Sequence, residues 1–481
     1  MQLCNIGHNF DYETEKVVRI FLPDEKINIV HDMADGENTA VCMLSDSAAS
    51  AKAKLYGKTA QKTEKVDAQS SEKQKELAVA RCLYNCLSEI TGYKSPWGIL
   101  TGIRPAKLFS HIPNAKDVFI NDYLCLASKA DLCAECYESE RKITGLSTEK
   151  SFSLYVSVPF CPSRCSYCSF VSHSVENAKA IIPDYLKRLN KELEETGKIA
   201  KDLKLRLQTV YVGGGTPTSI SASGLKALLA SIKDNFDFST VREFTVEAGR
   251  PDTIDREKLE VIKRAGATRI SINPQSMNDS VLEAIGRRHT AEQMRKAFCI
   301  AREVGFNNIN TDIIAGLSGD TVESFKNTLH EIIRLNPESV TVHSLSVKRA
   351  ADITRRGELP EFKTGADAAL MVDFARSLLA ENGFLPYYMY RQSKTVGNLE
   401  NVGYAKPGFE GLYNVYIMDE THTILACGAS AVTKLKEPGG NNIERIFNFK
   451  YPYEYINRFD EILSRKEAIK EYYDKYSECN K

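Results

Sequence analysis

No stretch of the 481 residues holds about 18 consecutive apolar side chains, so no segment reads as a membrane-spanning helix. Tryptophan is nearly missing, with one copy at Trp97. Excess charge of one sign is missing too, because 63 Lys and Arg balance 63 Asp and Glu. Such a chain has no global field to gather nucleic acid or an anionic membrane surface, so neither partner is expected. The opening Met1-Gln2-Leu3-Cys4-Asn5 has neither the basic nor the apolar region of a secretory signal. Thirteen cysteines in so long a chain do not make a disulfide scaffold. The expectation is a cytoplasmic protein with reduced thiols. With 43% apolar and 26% charged residues it reads as an ordinary globular chain of two or three domains.

What is present is concentrated at one place. Cys161, Cys165 and Cys168 fall within eight residues, Cys161-Pro162-Ser163-Arg164-Cys165-Ser166-Tyr167-Cys168. An iron–sulfur cube normally takes four thiolates, so three leave one iron open for another ligand. A structural zinc site also takes four N or S ligands from paired modules. Cys165-x2-Cys168 could find such a pair in Cys133-x2-Cys136, or a partner in His173. Spacing alone leaves zinc and an Fe–S cluster both open.

The first 60 or so residues read as short strands, Val17 to Leu22, Lys26 to Val30 and Thr39 to Leu44, in a small α+β module. Lys58 to Lys75 is rich in Lys, Glu, Gln and Ser and reads as a connector. A helical region follows to about 147. In it Cys82 and Cys86 stand at i, i+4, as buried helix positions, and Cys133 and Cys136 read as a helical pair. The segment Trp97 to Pro105 reads as core rather than as a lid. The expected domains are 1–150, α+β and helical; 151–350, the catalytic core; and 351–481, a small α+β region covering the substrate.

From residue 153 a rhythm begins. Strand-like runs at Leu154–Val158, Thr209–Val212, Phe244–Val246, Arg269–Ile272, Ile309–Ile314 and Val340–His343 alternate with helical segments such as Leu186–Lys201 and Ala291–Val304. Six β/α units in a row predict a parallel sheet, either doubly wound or an incomplete barrel. Both architectures place active residues at the C-terminal ends of strands. The three cysteines follow the first run and Gly213-Gly214-Gly215-Thr216-Pro217-Thr218 the second. Glu247 ends the third, Asn273-Pro274-Gln275 ends the fourth, and Asp312 lies in the fifth. Glycine N–H groups after a strand can approach a carboxylate or phosphate, and Glu247 suits an ammonium group.

These residues resemble the radical S-adenosylmethionine (SAM) superfamily, whose signature is Cys-x3-Cys-x2-Cys with an aromatic before the last cysteine. Residues 153 to about 433 are similar to the oxygen-independent coproporphyrinogen III oxidase family, in its HemZ-type coproporphyrinogen dehydrogenase branch. Tyr155 to Cys161, Tyr211 to Thr218, Arg269 to Met277 and Asn310 to Leu317 carry the likeness. The resemblance implies an incomplete (β/α)6 parallel barrel of radical SAM type. It implies that Cys161, Cys165 and Cys168 hold a [4Fe–4S] cluster, with Tyr167 near the adenine of SAM. Tyr155, Gly214 and Glu247 match contacts to the cluster-bound SAM. Gly215, Thr216, Gln275, Arg287, Asp312 and Ser346 match positions around a second SAM.

The implied reaction uses a 5′-deoxyadenosyl radical to turn two propionates of coproporphyrinogen III into vinyl groups, giving protoporphyrinogen IX in anaerobic haem synthesis. Its partners are a porphyrinogen substrate and a one-electron donor such as flavodoxin or ferredoxin. Arg164, Lys348, Arg349 and Arg391 are candidate cations for the acidic substrate. Two departures bear on that substrate. Phe170 stands where decarboxylating members carry a further cysteine. Tyr413-Asn414-Val415-Tyr416-Ile417-Met418 stands where the haem-chaperone branch carries His-Asn-x-x-Tyr-Trp. A haem chaperone, with His343 or His422 as ligand, and another porphyrin-modifying radical SAM enzyme are the alternatives.

Overall fold

A computed structural model describes residues 1–33, 36–169, 173–346, 364–392 and 395–478. Phe170, Lys348 and Arg349 lie outside the described residues. The chain divides into two compact units, one of residues 1–137 with 364–369 and 390–400, the other of 138–363 with 370–389 and 401–481.

The first unit is built on strands β1 (Gln2–Ile6), β2 (Asn28–Val30), β3 (Thr39–Leu44), β4 (Ala48–Leu55) and β5 (Lys58–Lys65), in the order β2-β1-β3-β4-β5. Two expectations are corrected here. Val17 to Leu22 is not a strand but falls at the end of the helix Asp11–Phe21, which buries Thr14, Val17 and Val18. The spacing i, i+3, i+4 and the acidic first turn outweigh the local β-branched run. The polar stretch from Lys58 is not a connector but begins with β5, antiparallel to β4. An edge strand with one wet face carries few apolar residues, so composition hides it. The helix Glu72–Thr91 then starts at a capping box formed by Ser71 and Gln74, and it buries Cys82 and Cys86. Trp97 is fully buried and donates its indole N–H to Glu400 Oε2 at 2.7 Å, while Lys129 Nζ meets Glu400 Oε1 at 2.7 Å. Trp97 is therefore core, as expected. Arg391 is corrected as a substrate cation: it is buried over the Trp97 ring and donates to the carbonyls of Leu100, Gly102 and Asn398.

The second unit carries β6 (Ser151–Val158), β7 (Phe160–Cys161), β8 (His173–Ser174), β9 (Arg206–Gly214), β10 (Glu243–Glu247), β11 (Arg269–Ser271), β12 (Ile309–Ala315), β13 (Ser339–Ser344), β16 (Thr423–Cys427), β17 (Val432–Lys436) and β18 (Ile443–Phe447), with β14 (Leu385–Arg391) up to Met389 and β15 (Glu400–Ala405) from Asn401. Its large sheet runs β14-β15-β13-β12-β11-β10-β9-β6-β16-β17-β18. The six predicted strands neighbour one another in chain order and pair in parallel. A doubly wound sheet reverses its order at a switch point. No reversal occurs between β6 and β13, so the singly wound, incomplete (β/α)6 barrel is the architecture. The near-continuous burial of β6, β9 and β10 fits strands covered on both faces.

Beside β6 the chain buries a charged network. Glu192, on the helix Ile182–Asp202, accepts from Lys466 Nζ at 2.9 Å, Asn448 Nδ2 at 2.8 Å, Gly428 N at 2.8 Å and Tyr455 OH at 2.6 Å. Tyr185 OH, from the same helix, donates to Ser157 O at 2.9 Å and so holds the end of β6.

Candidate active site at the C-terminal ends of the parallel strands

The cysteine loop leaves β6 at Val158 and is docked onto the glycine turn that ends β9. Gly215 N–H donates to Val158 O at 2.9 Å, Thr216 N–H to Phe160 O at 2.8 Å, and Ser219 Oγ–H to Phe160 O at 2.9 Å. Gly214 has φ +110°, which favours glycine, and a Cβ on Gly215 would lie 2.6 Å from Phe160 O. The glycines thus let two backbones meet. The amides of Gly215 and Thr216 are therefore spent on the cysteine loop. Thr216 Oγ1 stands 3.6 Å from Cys161 Sγ. Cys168 N–H closes a turn onto Cys165 O at 3.1 Å, and Ser166 N–H donates to Ile285 O at 3.0 Å. Cys165 is buried, whereas Cys161 and Cys168 are half-buried.

Glu247, the last residue of β10, accepts from Tyr211 OH at 2.5 Å. Burial pushes its carboxyl up to about 7; the Tyr211 hydroxyl opposes this and the nearby Asp312 carboxylate adds to it. Tyr211 stacks on Tyr413 with centroids 4.5 Å apart, and Tyr155 stacks against both at 6.2 and 6.3 Å. Asp312 accepts from Asn310 Nδ2 at 2.7 Å and lies 3.9 Å from His343 Nε2. Burial works against its ionisation, yet the nearby His343, Asn310 and Thr341 side chains hold the carboxyl below its ordinary pKa. The two acids are thereby driven apart, Glu247 raised to about 7 and Asp312 held below the ordinary carboxylate range.

Gln275 bridges β11 to β12 in the left-handed region, φ +69°, with its N–H on Asp312 O and its O receiving Ile314 N–H, both at 3.0 Å. Its buried side-chain Oε1 has no partner among the described residues. Arg287 is buried rather than on a helix surface. It donates to Asn273 O at 2.9 Å, to Gly249 O at 3.4 Å and to Tyr167 OH at 3.2 Å, and its Nε has no partner among the described residues. Ser346 is half-buried just beyond β13. The structure thus brings Tyr155, Tyr211 and Glu247 together, Glu247 near Asp312, Asp312 beside Gln275, and Tyr167 onto Arg287.

Other expectations resolve differently. His422 is corrected as a haem ligand: buried, with Nδ1 2.6 Å from Ser147 Oγ and Nε2 2.8 Å from Ser153 Oγ, it has no free ring nitrogen. Burial pulls its pKa down to about 3. Cys133 and Cys136, by contrast, are the helical pair expected, fully buried on the helix Ala127–Thr144. Exposed Arg164 edges a groove of about 750 Å³ shared with Arg287, Arg288 and His289. Sequence reasoning passed over Tyr211, Tyr413, Arg250, Asp252 and His289. The one local signal was a charged residue, Arg250, three places past a strand-end carboxylate.

Among the described residues no three His, Cys, Asp or Glu side chains converge as ligands of one ion do. A zinc ion needs sulfurs converging at about 2.3 Å, whereas a cube takes one thiolate per iron and spreads its ligands. Three thiols in one short loop suit the cube. The orphaned Gln275 Oε1 and Arg287 Nε, between Glu247 and Asp312 in strand order, suit a zwitterionic polar ligand.

Residues 155–332 match the model of the radical SAM superfamily. The chain is 38% identical over 409 residues to the oxygen-independent coproporphyrinogen-III oxidase-like protein HemZ of Bacillus subtilis, covering 82% of this chain and 81% of that protein. It is 33% identical over 285 residues to the haem chaperone HemW of the same organism, covering 58% and 70%. Among solved structures, coproporphyrinogen III oxidase (HemN) from Escherichia coli, described as a radical SAM enzyme, aligns with TM-score 0.52 at 22% identity over 66% of this chain and 71% of that one. That likeness concerns the fold. Among the described residues no helix is long and apolar enough to cross a membrane. With its fold, its cysteine loop and this extent of identity, the chain belongs to the radical SAM superfamily, which uses a [4Fe–4S] cluster and SAM, and within it to the coproporphyrinogen-III-oxidase-like family of HemZ.

Proposed function

We propose that the protein oxidatively decarboxylates two propionates of coproporphyrinogen III, giving protoporphyrinogen IX. Each propionate would lose CO2, one hydrogen atom from its β-carbon to the 5′-deoxyadenosyl radical, giving 5′-deoxyadenosine, and one electron to a one-electron acceptor, leaving a vinyl group. The cluster and SAM supply, when bound at Cys161, Cys165 and Cys168, the one-electron cleavage and the hydrogen-abstracting carbon radical. The chain's own residues bind and orient. Tyr211 fixes Glu247 for an ammonium, Asp312 stays ionised for hydroxyls or a second cation, and Arg287 holds Tyr167 over the loop. The tyrosine stack keeps water from the strand ends.

The observation that carries the substrate is the helix Leu412–Asp419. Where haem chaperones bear a histidine, Tyr413 is buried and stacks on Tyr211, and the N–H groups of Leu412 and Tyr413 are spent on Glu243. A histidine ligand presented outward has no counterpart there. The HemW relatives support a haem-carrying reading, at lower identity and coverage than the HemZ protein.

An anaerobic assay with coproporphyrinogen III, SAM and a reductant tests this. The expected result is protoporphyrinogen IX with equivalent 5′-deoxyadenosine. SAM cleavage without any vinyl product sinks the decarboxylase, and tight haem retention without turnover moves the protein to the chaperone reading.

A pH dependence follows for Glu247. Its carboxyl ionises only as the pH passes about 7, and the ionised form is the one that pairs with an ammonium. SAM affinity, measured by anaerobic calorimetry, is expected to rise severalfold between about pH 6 and about pH 8. Glu247→Gln should bind more weakly and flatten the profile. A wild-type profile as flat as the variant's removes Glu247 from the SAM site.

A further inference from the structure

Arg250 stands three residues beyond Glu247, at the start of the short turn Pro251–Thr253, and is 3% exposed. A buried guanidinium is costly unless its donors are matched. Here they point two ways. Nε and Nη2 fork onto Asp252 Oδ1 and Oδ2, both at 2.9 Å. On the other side Nη2 meets Ser163 Oγ at 3.1 Å, while Nη1 meets Ser163 O at 3.4 Å and Cys165 Sγ at 3.7 Å. A neutral thiol is a weak acceptor, so a buried cation aimed at Cys165 suits a thiolate.

We propose that Arg250 donates to the Cys165 thiolate of the bound cluster and raises its reduction potential, with Asp252 setting how much of the guanidinium charge the cluster feels. This rests on the three cysteines being the cluster ligands. Reduction adds one negative charge to the iron–thiolate unit. A cation and an N–H donor at a ligand sulfur stabilise the reduced form more than the oxidised one. Asp252 pulls the same guanidinium the other way. The two residues therefore act with opposite sign, although both brace one loop. A staple that merely held the loop would give no such opposition.

The test is a redox titration of the full-length, anaerobically reconstituted protein, following the reduced cluster by electron paramagnetic resonance alongside iron and sulfide analysis. At the wild-type midpoint, Arg250→Gln is expected to lower the reduced-to-oxidised ratio about tenfold, a midpoint about 59 mV more negative. Asp252→Asn should move the midpoint positive. Unchanged midpoints with full iron content, or shifts of one sign in both variants, overturn the proposal. If Arg250→Gln retains no cluster, Asp252→Asn alone decides: a positive shift upholds the proposal, and any other result overturns it. A wild-type protein that takes up no iron and sulfide instead overturns the reading of the cysteines.

Discussion

Cys165→Ala is expected to abolish SAM cleavage and to strip the protein of its iron and sulfide, which should stand at about four of each per chain in the wild type. A cube held by three thiolates has none to spare. Cys165 is also the buried member of the trio and the one the Arg250 guanidinium faces. Far-ultraviolet circular dichroism should remain that of the wild type. The substitution removes one sulfur from a loop whose attachment runs through Gly215, Thr216 and Ser219 instead. A variant that keeps four irons per chain, or a wild type that takes up one zinc and no iron, refutes the cluster at this loop.

The second large effect is on stability. Glu192→Ala should destabilise the barrel unit by about 3–5 kcal/mol, because it leaves Lys466 charged in a site where only 1% of its side chain meets solvent. The Ala426 carbonyl remains as an acceptor for Lys466, but the N–H of Gly428 and the hydroxyl of Tyr455 lose theirs. Replacing the pair together, Glu192→Leu with Lys466→Met, should recover most of the loss, since apolar groups of similar volume need no counter-charge. Urea unfolding followed by tyrosine fluorescence measures both. A single variant within about 0.5 kcal/mol of wild type would show the pair to behave as an exposed one does. The network also bears on the site, because Tyr185 and Gly428 of the same cluster meet Ser157 at the end of β6, just before the cysteine loop.

Much of the barrel was legible before any coordinates. All six strand runs fall on β6 and β9 to β13, and the helices at 186–201 and 291–304 fall within a few residues of Ile182–Asp202 and Ala291–Glu303. Long apolar runs separated by amphipathic helices leave few alternatives. The first unit was less legible. The helix Asp11–Phe21 contains Val17, Val18 and Ile20, and β5 is mostly Lys, Thr and Glu, so local propensity points the wrong way in both.

By itself the sequence determined the β/α order, the three-cysteine loop and the strand-end polar residues, because periodicity and short-range spacing are local properties of the chain. Only the tertiary structure decided how those residues are used. Gly215 and Thr216 spend their amides on the cysteine loop, Arg391 is held by the carbonyls of Leu100, Gly102 and Asn398, and His422 is tied between two serines. Arg250 reaches Cys165 across 85 residues of chain. Hydrogen-bond partners so far apart in sequence leave no pattern in it, since each is fixed by which strand ends the barrel sets side by side.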